Sequence, residues 1–434
     1  MSAARDCAFD ILQKMEREQA YSTVALHSYF SKKELSHQDI QLATALVFGV
    51  TERKITLDFF LSKHLSQPIK KLKPQVLTVL RIGAYQLLYM DKIPHSAAVN
   101  EAVKSVKKNG CAFAAGLVNA VLRKVAQYGV QYPQTENSVY DLSIRYSCPE
   151  WLVEHYIASY GLQNAEQILA SAQGENHLYV RVNTVKTNTH VLQKLLLADG
   201  IECEPVSGIQ DALILKNTGD LSKCRHFSDG LFHVQDYSSQ LCCEILDCQP
   251  DDFFVDCCAA PGGKSFTSAY KMGNRGRIVA CDVHPFKTDM ISENAKRLGI
   301  DCLETVCSDA VYLRNTIRNA DRVLCDVPCS GLGVIGRKPE IRYKNRDEID
   351  RLPALQYDIL SNCSQMVKNG GVLVYSTCTL NPAENEDICR RFLSEHSDFT
   401  AEKLSDTDFL TVLPDGDKDG FFIAKMKRCA EVSL

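Results

Sequence analysis

From about residue 231 onward the chain alternates short apolar runs with amphipathic ones, and this alternation constrains the fold more than any other feature of the sequence. FFVD, GRIVACDV, CLETVC, DRVLCDVP and GVLVYST are short, largely β-branched and bounded by turn residues. Between them lie SFTSAYKMG, FKTDMISENAKRLG, a short VYLRNTI and ALQYDILSNCSQMVKNG, which place apolar residues three and four apart. Five strands separated by helices predict a mostly parallel sheet with both faces covered. FFIAKMK, near the C-terminus, predicts an antiparallel edge strand.

The preceding sequence has another character. Residues 1–130 read as all helical: ARDCAFDILQKM, DIQLATALVFGVTERKITLDFFLSKHL, PQVLTVLRIGAYQLLYM, SAAVNEAVKSVKK and GLVNAVLRKVAQY all carry the helical repeat. Pro74 stands where a helix begins, and Pro94 interrupts the gap before the next one. Residues 131–230 give linker helices and then strand, helix, strand, strand, a small α/β module of RRM-like pattern too short for a second enzyme core. The expected organisation is therefore multidomain: a helical bundle, the small module, and a Rossmann-like α/β domain over 231–434.

Charge separates the same regions. Residues 1–130 hold 18 Lys and Arg against 10 Asp and Glu, while the remainder holds 31 against 43. A basic front on an acidic body suits a nucleic-acid partner, although a solvated lysine-rich surface gives the same count. No stretch of eighteen apolar residues occurs and the start is not a cleavable leader, so a cytoplasmic protein is expected. The 19 cysteines are scattered through a long chain, which fits reduced thiols. With neither CxxC nor HExxH, no metal site is expected.

In an open α/β sheet the pocket lies beyond the carboxyl ends of the strands. The informative residues all fall there: Asp256 and the loop Cys258, Ala259, Ala260, Pro261, Gly262, Gly263, Lys264 after the first strand; Asp282 after the second; Asp309 after the third; Asp326 and Cys329 after the fourth; Cys378 after the fifth. The loop is neither GxGxxG nor GxxxxGK[ST], which argues against a phosphate cradle. Glycines for close approach, an acid for the ribose hydroxyls at Asp282 and one for the adenine amino group at Asp309 point to S-adenosylmethionine, with S-adenosylhomocysteine as product. Asp309 is also placed to act as an ordinary helix cap.

A thiolate is the strongest nucleophile among side chains. Two cysteines at the ends of successive strands, without a histidine close by in sequence, argue against an acyl-transfer triad and suit a different reaction. Carbon 5 of a pyrimidine takes a methyl group only after a thiolate has added at carbon 6. That chemistry needs a nucleophile, a group at the ring nitrogen and a base for the carbon 5 proton. Cys378, Asp326 and Cys329 supply the three functional groups, and the residues alone leave open which cysteine attacks. The target base has to leave its stack.

DCCAAPGGKSF, DVPCSGLGVIGRKPEIRYK, YSTCTLNPAENE and DGDKDGFFIAKM resemble the signatures of the Sun-type RNA (cytosine-5) methyltransferases. RIGAYQLLYMDKIPHSAAVNEAVKSVKK and GLVNAVLRK resemble the NusB-like RNA-binding domain. The resemblance covers nearly the whole chain, including GLFHVQDYSSQL between the two regions. It implies that Cys378 attacks the base and Cys329 assists release, that residues Cys258 to Lys264 with Asp282, Asp309 and Asp326 hold the cofactor, and that the substrate is 16S ribosomal RNA, free or in an early small-subunit particle. Transfer RNA is the alternative substrate, and a non-catalytic RNA-binding or assembly protein the alternative class; a monomer is expected. Two departures, the doubled thiol Cys257-Cys258 and Gly336 before Arg-Lys-Pro, remove no functional group. GRKPEIRYKNR, with five basic residues and one Glu, is the expected phosphate contact: Arg337, Lys338 and Arg342, with Tyr343 stacking on a base.

Overall fold

The computed structural model describes residues 3–429 apart from 19, 20, 34, 175, 176, 316 and 405. The chain forms two compact units, residues 1–173 with 335–344, and residues 174–334 with 345–434. No helix among the described residues is long and apolar enough to cross a membrane.

The first unit is helical. Ala3–Glu18, Ser22–Phe30, His37–Glu52, Lys54–Ser62, Pro74–Tyr89, His95–Lys108, Ala115–Tyr128, Ser138–Tyr146 and Glu150–Ser171 are its α-helices. Ile11, Leu46, Leu57, Leu80, Val118 and Leu122 meet in one fully or almost fully buried core, each contributing about 1.5–3 kcal/mol. Arg81 enters the bundle with its charge matched, donating to both oxygens of Asp58 at 2.7 and 2.8 Å and to Glu16 at 2.6 Å. The run expected to be one helix from Asp39 to Leu65 breaks at Arg53 (φ −103°, ψ 20°). Ser147 Oγ accepts from the freed Ile55 amide at 2.9 Å, so a distant residue caps the new helix. The helix Glu150–Ser171 bends at Gly161, whose φ is 78°.

The second unit contains two sheets. In the smaller, β1 (Leu178–Val182), β2 (Glu202–Pro205), β3 (Ala212–Lys216) and β4 (Phe232–Val234) run antiparallel in the order β2-β3-β1-β4. The helix Thr189–Ala198 covers one face through Leu192 and Leu196.

The larger sheet comprises β5 (Phe253–Asp256), β6 (Arg277–Asp282), β7 (Leu303–Cys307), β8 (Ala320–Asp326), β9 (Val367–Thr377), β10 (Phe399–Ala401), β11 (Phe409–Val412) and β12 (Phe421–Arg428). Its order is β10-β12-β9-β8-β5-β6-β7, with β11 also on β12. Strands β5 to β9 are parallel, as the alternation predicts. Both faces are apolar: Val323, Cys325, Leu373 and Tyr375 point to one core, and Leu324, Val372 and Val374 to the other. FFIAKMK is antiparallel but not at the edge. Strands β10 and β11, three and four residues long and too short to give a periodic signal, pair with it on the side away from β9.

Candidate active site

The sheet order reverses at β5, which lies between β6 and β8, and this opens a crevice at the strand ends. Asp256 closes β5. Its Oδ2 accepts from Ser265 Oγ at 2.7 Å, while its buried Oδ1 has no partner among the described residues. Burial pushes the carboxyl up to about 7, against the hydrogen bond from Ser265.

The loop that follows folds on itself. The Ala259 amide donates to the Cys281 carbonyl at 2.7 Å and the Gly262 amide to the Ala259 carbonyl at 2.6 Å. Gly262 has φ 105°, and a Cβ there would lie 2.4 Å from the Phe266 ring, so the turn requires glycine. Gly263 begins the helix Gly263–Lys271, whose first amides have no helical acceptor and suit an electronegative ligand. Ala259 and Gly262 are buried; Cys258, Ala260, Gly263 and Lys264 are half-buried, and Pro261 is exposed.

Asp282 ends β6 almost buried, accepting from the His284 amide at 3.0 Å with Lys287 Nζ at 3.5 Å. Asp309 is exposed and accepts from the Val311 amide at 3.0 Å, so it does cap the short 3-10 turn Ala310–Asn315. Asp326 ends β8 in register with Ser376 of β9, whose hydroxyl donates to Oδ1 at 2.8 Å. Lys264 Nζ donates to Asp326 Oδ2 at 2.6 Å and to Ser239 Oγ at 3.2 Å. Burial works against the ammonium, but Asp326, with Cys242 and Asp236, outweighs it and holds Lys264 protonated.

Cys329 and Cys378 meet, Sγ to Sγ, at 3.2 Å, and both are half-buried. The hydrogen bond to Cys378, followed by burial, drives the Cys329 thiol well above its usual range, so this sulfur keeps its proton.

A buried glutamate, absent from the sequence reading, joins the two cysteine loops. Glu384 accepts from the Ser330 amide at 2.9 Å, Ser330 Oγ at 2.5 Å, Gln356 Nε2 at 2.9 Å and Asn381 Nδ2 at 3.0 Å. Ser330 Oγ also meets Thr379 Oγ1 at 2.6 Å, and the Gly333 amide donates to the Cys378 carbonyl at 3.0 Å. The residues that follow each cysteine are thereby tied together. The motif NPAENE was visible and contains Asn381, but the other partners, Ser330 and Gln356, come from segments far away in sequence.

The expectation for the basic segment needs correction. Arg342 is 1% exposed and belongs to the helical unit. Its guanidinium donates to the carbonyls of Glu52, Tyr146, Ser147 and Ile335 at 3.1–3.2 Å. Four inward-facing carbonyls hold it away from any phosphate. The Tyr343 hydroxyl donates to the Thr51 carbonyl at 3.0 Å, and Lys54 Nζ lies 5.3 Å from the centre of its ring, so it is committed to the bundle rather than open for a base. Lys338 is exposed and Arg337 half-buried.

A reversed parallel sheet with this glycine loop, set beside a small antiparallel sheet in a chain with a helical front unit, defines a multidomain Rossmann-like methyltransferase. Family models agree region by region: the 16S rRNA methyltransferase RsmB/F model matches residues 243–427, the NusB family 2–127, and the ferredoxin-like domain of RsmF/B-like methyltransferases 148–222. A probable ribosomal RNA small subunit methyltransferase B of Bacillus subtilis is 38% identical over 98% of this chain and 99% of its own. Its namesake from Synechocystis is 35% identical over 99% and 100%. The chain belongs to the RsmB/F family of 16S rRNA methyltransferases. Among solved structures, PH0851 superposes with a TM-score of 0.82 over 98% of both chains at 24% identity, a likeness of fold. A methyltransferase homologue protein from Pyrococcus horikoshii gives 0.61 at 27% identity, over 68% of this chain and 100% of its own.

Proposed function

We propose that this chain methylates carbon 5 of one specific cytosine in 16S ribosomal RNA, through a covalent adduct between Cys378 and carbon 6. The observation that carries this reading is the 3.2 Å approach of two strand-end thiols, one of which keeps its proton, beside the Lys264–Asp326 pair. The residues present fit S-adenosylmethionine: a buried Asp256 oxygen without a partner, a glycine-built turn before a helix N-terminus, and Asp282 at the next strand end. Cys258 to Lys264, Asp282, Asp309 and Asp326 would hold it, and when bound it supplies an electrophilic sulfonium methyl.

The chain's own residues handle the base. The Cys378 thiolate bonds to carbon 6 and electron density moves to carbon 5, while Asp326, fixed by Lys264 and Ser376, faces the ring nitrogen. Once carbon 5 is methylated, the carbon–sulfur bond breaks, the Cys329 thiol passes its proton to the departing Cys378 sulfur 3.2 Å away and takes up the carbon 5 proton in its place, and the pyrimidine is restored. Arg337 and Lys338 contact RNA phosphates. The enzyme acts in the cytoplasm as a monomer, on free 16S RNA or an early small-subunit particle.

Bisulfite sequencing of 16S RNA from a strain lacking the gene is expected to show one newly unprotected cytosine. An unchanged pattern, or lost protection in a transfer RNA instead, rules out this substrate. Cys378→Ala is expected to abolish both transfer and adduct, whereas Cys329→Ala accumulates protein-linked RNA on denaturing gels. Full turnover by Cys378→Ala would show that another residue attacks.

A further inference from the structure

A second sulfur cluster lies in the core, apart from the Cys329–Cys378 pair. Cys257 follows β5, Cys325 is the penultimate residue of β8, and Cys363 sits on the helix Leu352–Ser364. Their three Sγ atoms lie within 4.8 Å of one another, and none of the residues is more than 1% exposed. Val255, Val323, Val327, Tyr357 and Leu360 belong to the same apolar cluster.

The principal groups acting on these thiols are one another, Cys258 and Asp309, with no lysine or arginine among them. Three elements thus supply three soft ligands with no counter-charge of their own. Structural zinc takes four ligands, and a divalent ion on three thiolates leaves a net negative charge in an apolar core, which is costly. A trivalent ion leaves none.

We propose that Cys257, Cys325 and Cys363 form a three-sulfur site for a trivalent thiophilic metalloid, with arsenic(III) as the fitting ion. Arsenous acid, As(OH)3, exchanges three As–O bonds for three As–S bonds. Each thiol proton leaves with one hydroxide as water, three waters in all, and nothing is oxidised or reduced. The filled site carries no net charge, links β5, β8 and the helix, and stabilises the folded chain. Cys257 directly follows Asp256 and Cys325 directly precedes Asp326, so the cross-link lies just beneath two strand ends of the crevice.

The test uses the full chain carrying Cys329→Ser and Cys378→Ser, which removes the thiol pair at the crevice, incubated with arsenite alone. Native mass spectrometry is expected to find one retained arsenic, X-ray absorption three sulfur neighbours, and thermal unfolding a raised midpoint. Adding Cys363→Ser, or separately Cys257→Ser, is expected to abolish retention. No retained arsenic in the double variant, two sulfur neighbours instead of three, or undiminished retention after either further substitution would overturn the site. Should one of these serine variants fail to fold, the other decides the ligand assignment, and the sulfur count stands independently of both. The readouts do not depend on RNA methylation.

Discussion

Asp256 shows how one buried side chain ties pH to the stability of the site. Its carboxyl is pushed up to about 7 by burial, against about 3.9 in an unfolded chain. Between those values the folded chain binds a proton that the unfolded chain has released. This contribution to stability is complete below about pH 4 and is lost as pH rises to about 7. Asp256→Asn carries no titrating group and is expected to flatten that decline, measured by urea unfolding at several pH values between 4 and 8. An identical pH slope in the variant would show that this carboxyl is not the source. The position of Asp256 at a strand end was readable from FFVD followed by a polar loop. Its pairing with Ser265, and the unsatisfied second oxygen, depend on how the loop turns back and were not readable.

At the scale of elements, the two cysteine loops are held by Glu384 rather than by the strands that deliver them. Glu384→Ala removes an acceptor of four hydrogen bonds and leaves the Ser330, Gln356 and Asn381 donors buried without it. Stability is expected to fall by about 3 kcal/mol, read from the urea midpoint at an unchanged slope, since charged hydrogen bonds contribute about 1.5–3 kcal/mol each. Methyl transfer is expected to fall further than methyl-donor affinity, because the loops lose their register while the Gly262 turn is untouched. Equal losses in both would argue for general unfolding. Gly333 sets a second limit: a Cβ there would lie 2.2 Å from the Gly420 carbonyl oxygen, a backbone atom that cannot step aside. Gly333→Ala is therefore expected to lower the thermal midpoint by several degrees, and an unchanged midpoint would show that the backbones can separate.

At the scale of the whole molecule, segment 335–344 is part of the helical unit although it follows Cys329 closely in sequence. Arg342→Ala is expected to destabilise that unit by about 3 kcal/mol, because four buried carbonyls lose their donor. The salt dependence of RNA binding should stay as it is. Lys338→Ala should do the reverse, reducing the slope of log affinity against log salt by about 1 with little change in stability. A changed salt slope for Arg342→Ala would return that residue to the RNA surface.

The sequence by itself determined the parallel sheet, the helical front and the strand-end placement of the acids and cysteines. Apolar period and turn residues are local signals, and each strand of β5 to β9 is long and buried enough to carry them. Only the tertiary structure decided that β12 is interior, that the helix breaks at Arg53 beneath Ser147, that Arg342 turns inward, and that Glu384 joins two loops. The deciding contacts include partners outside any local window, namely Ser147 for the helix after Arg53, Glu52 and Tyr146 for Arg342, and Ser330 and Gln356 for Glu384, while β12 becomes interior through β10 and β11, which are too short to carry a periodic signal of their own.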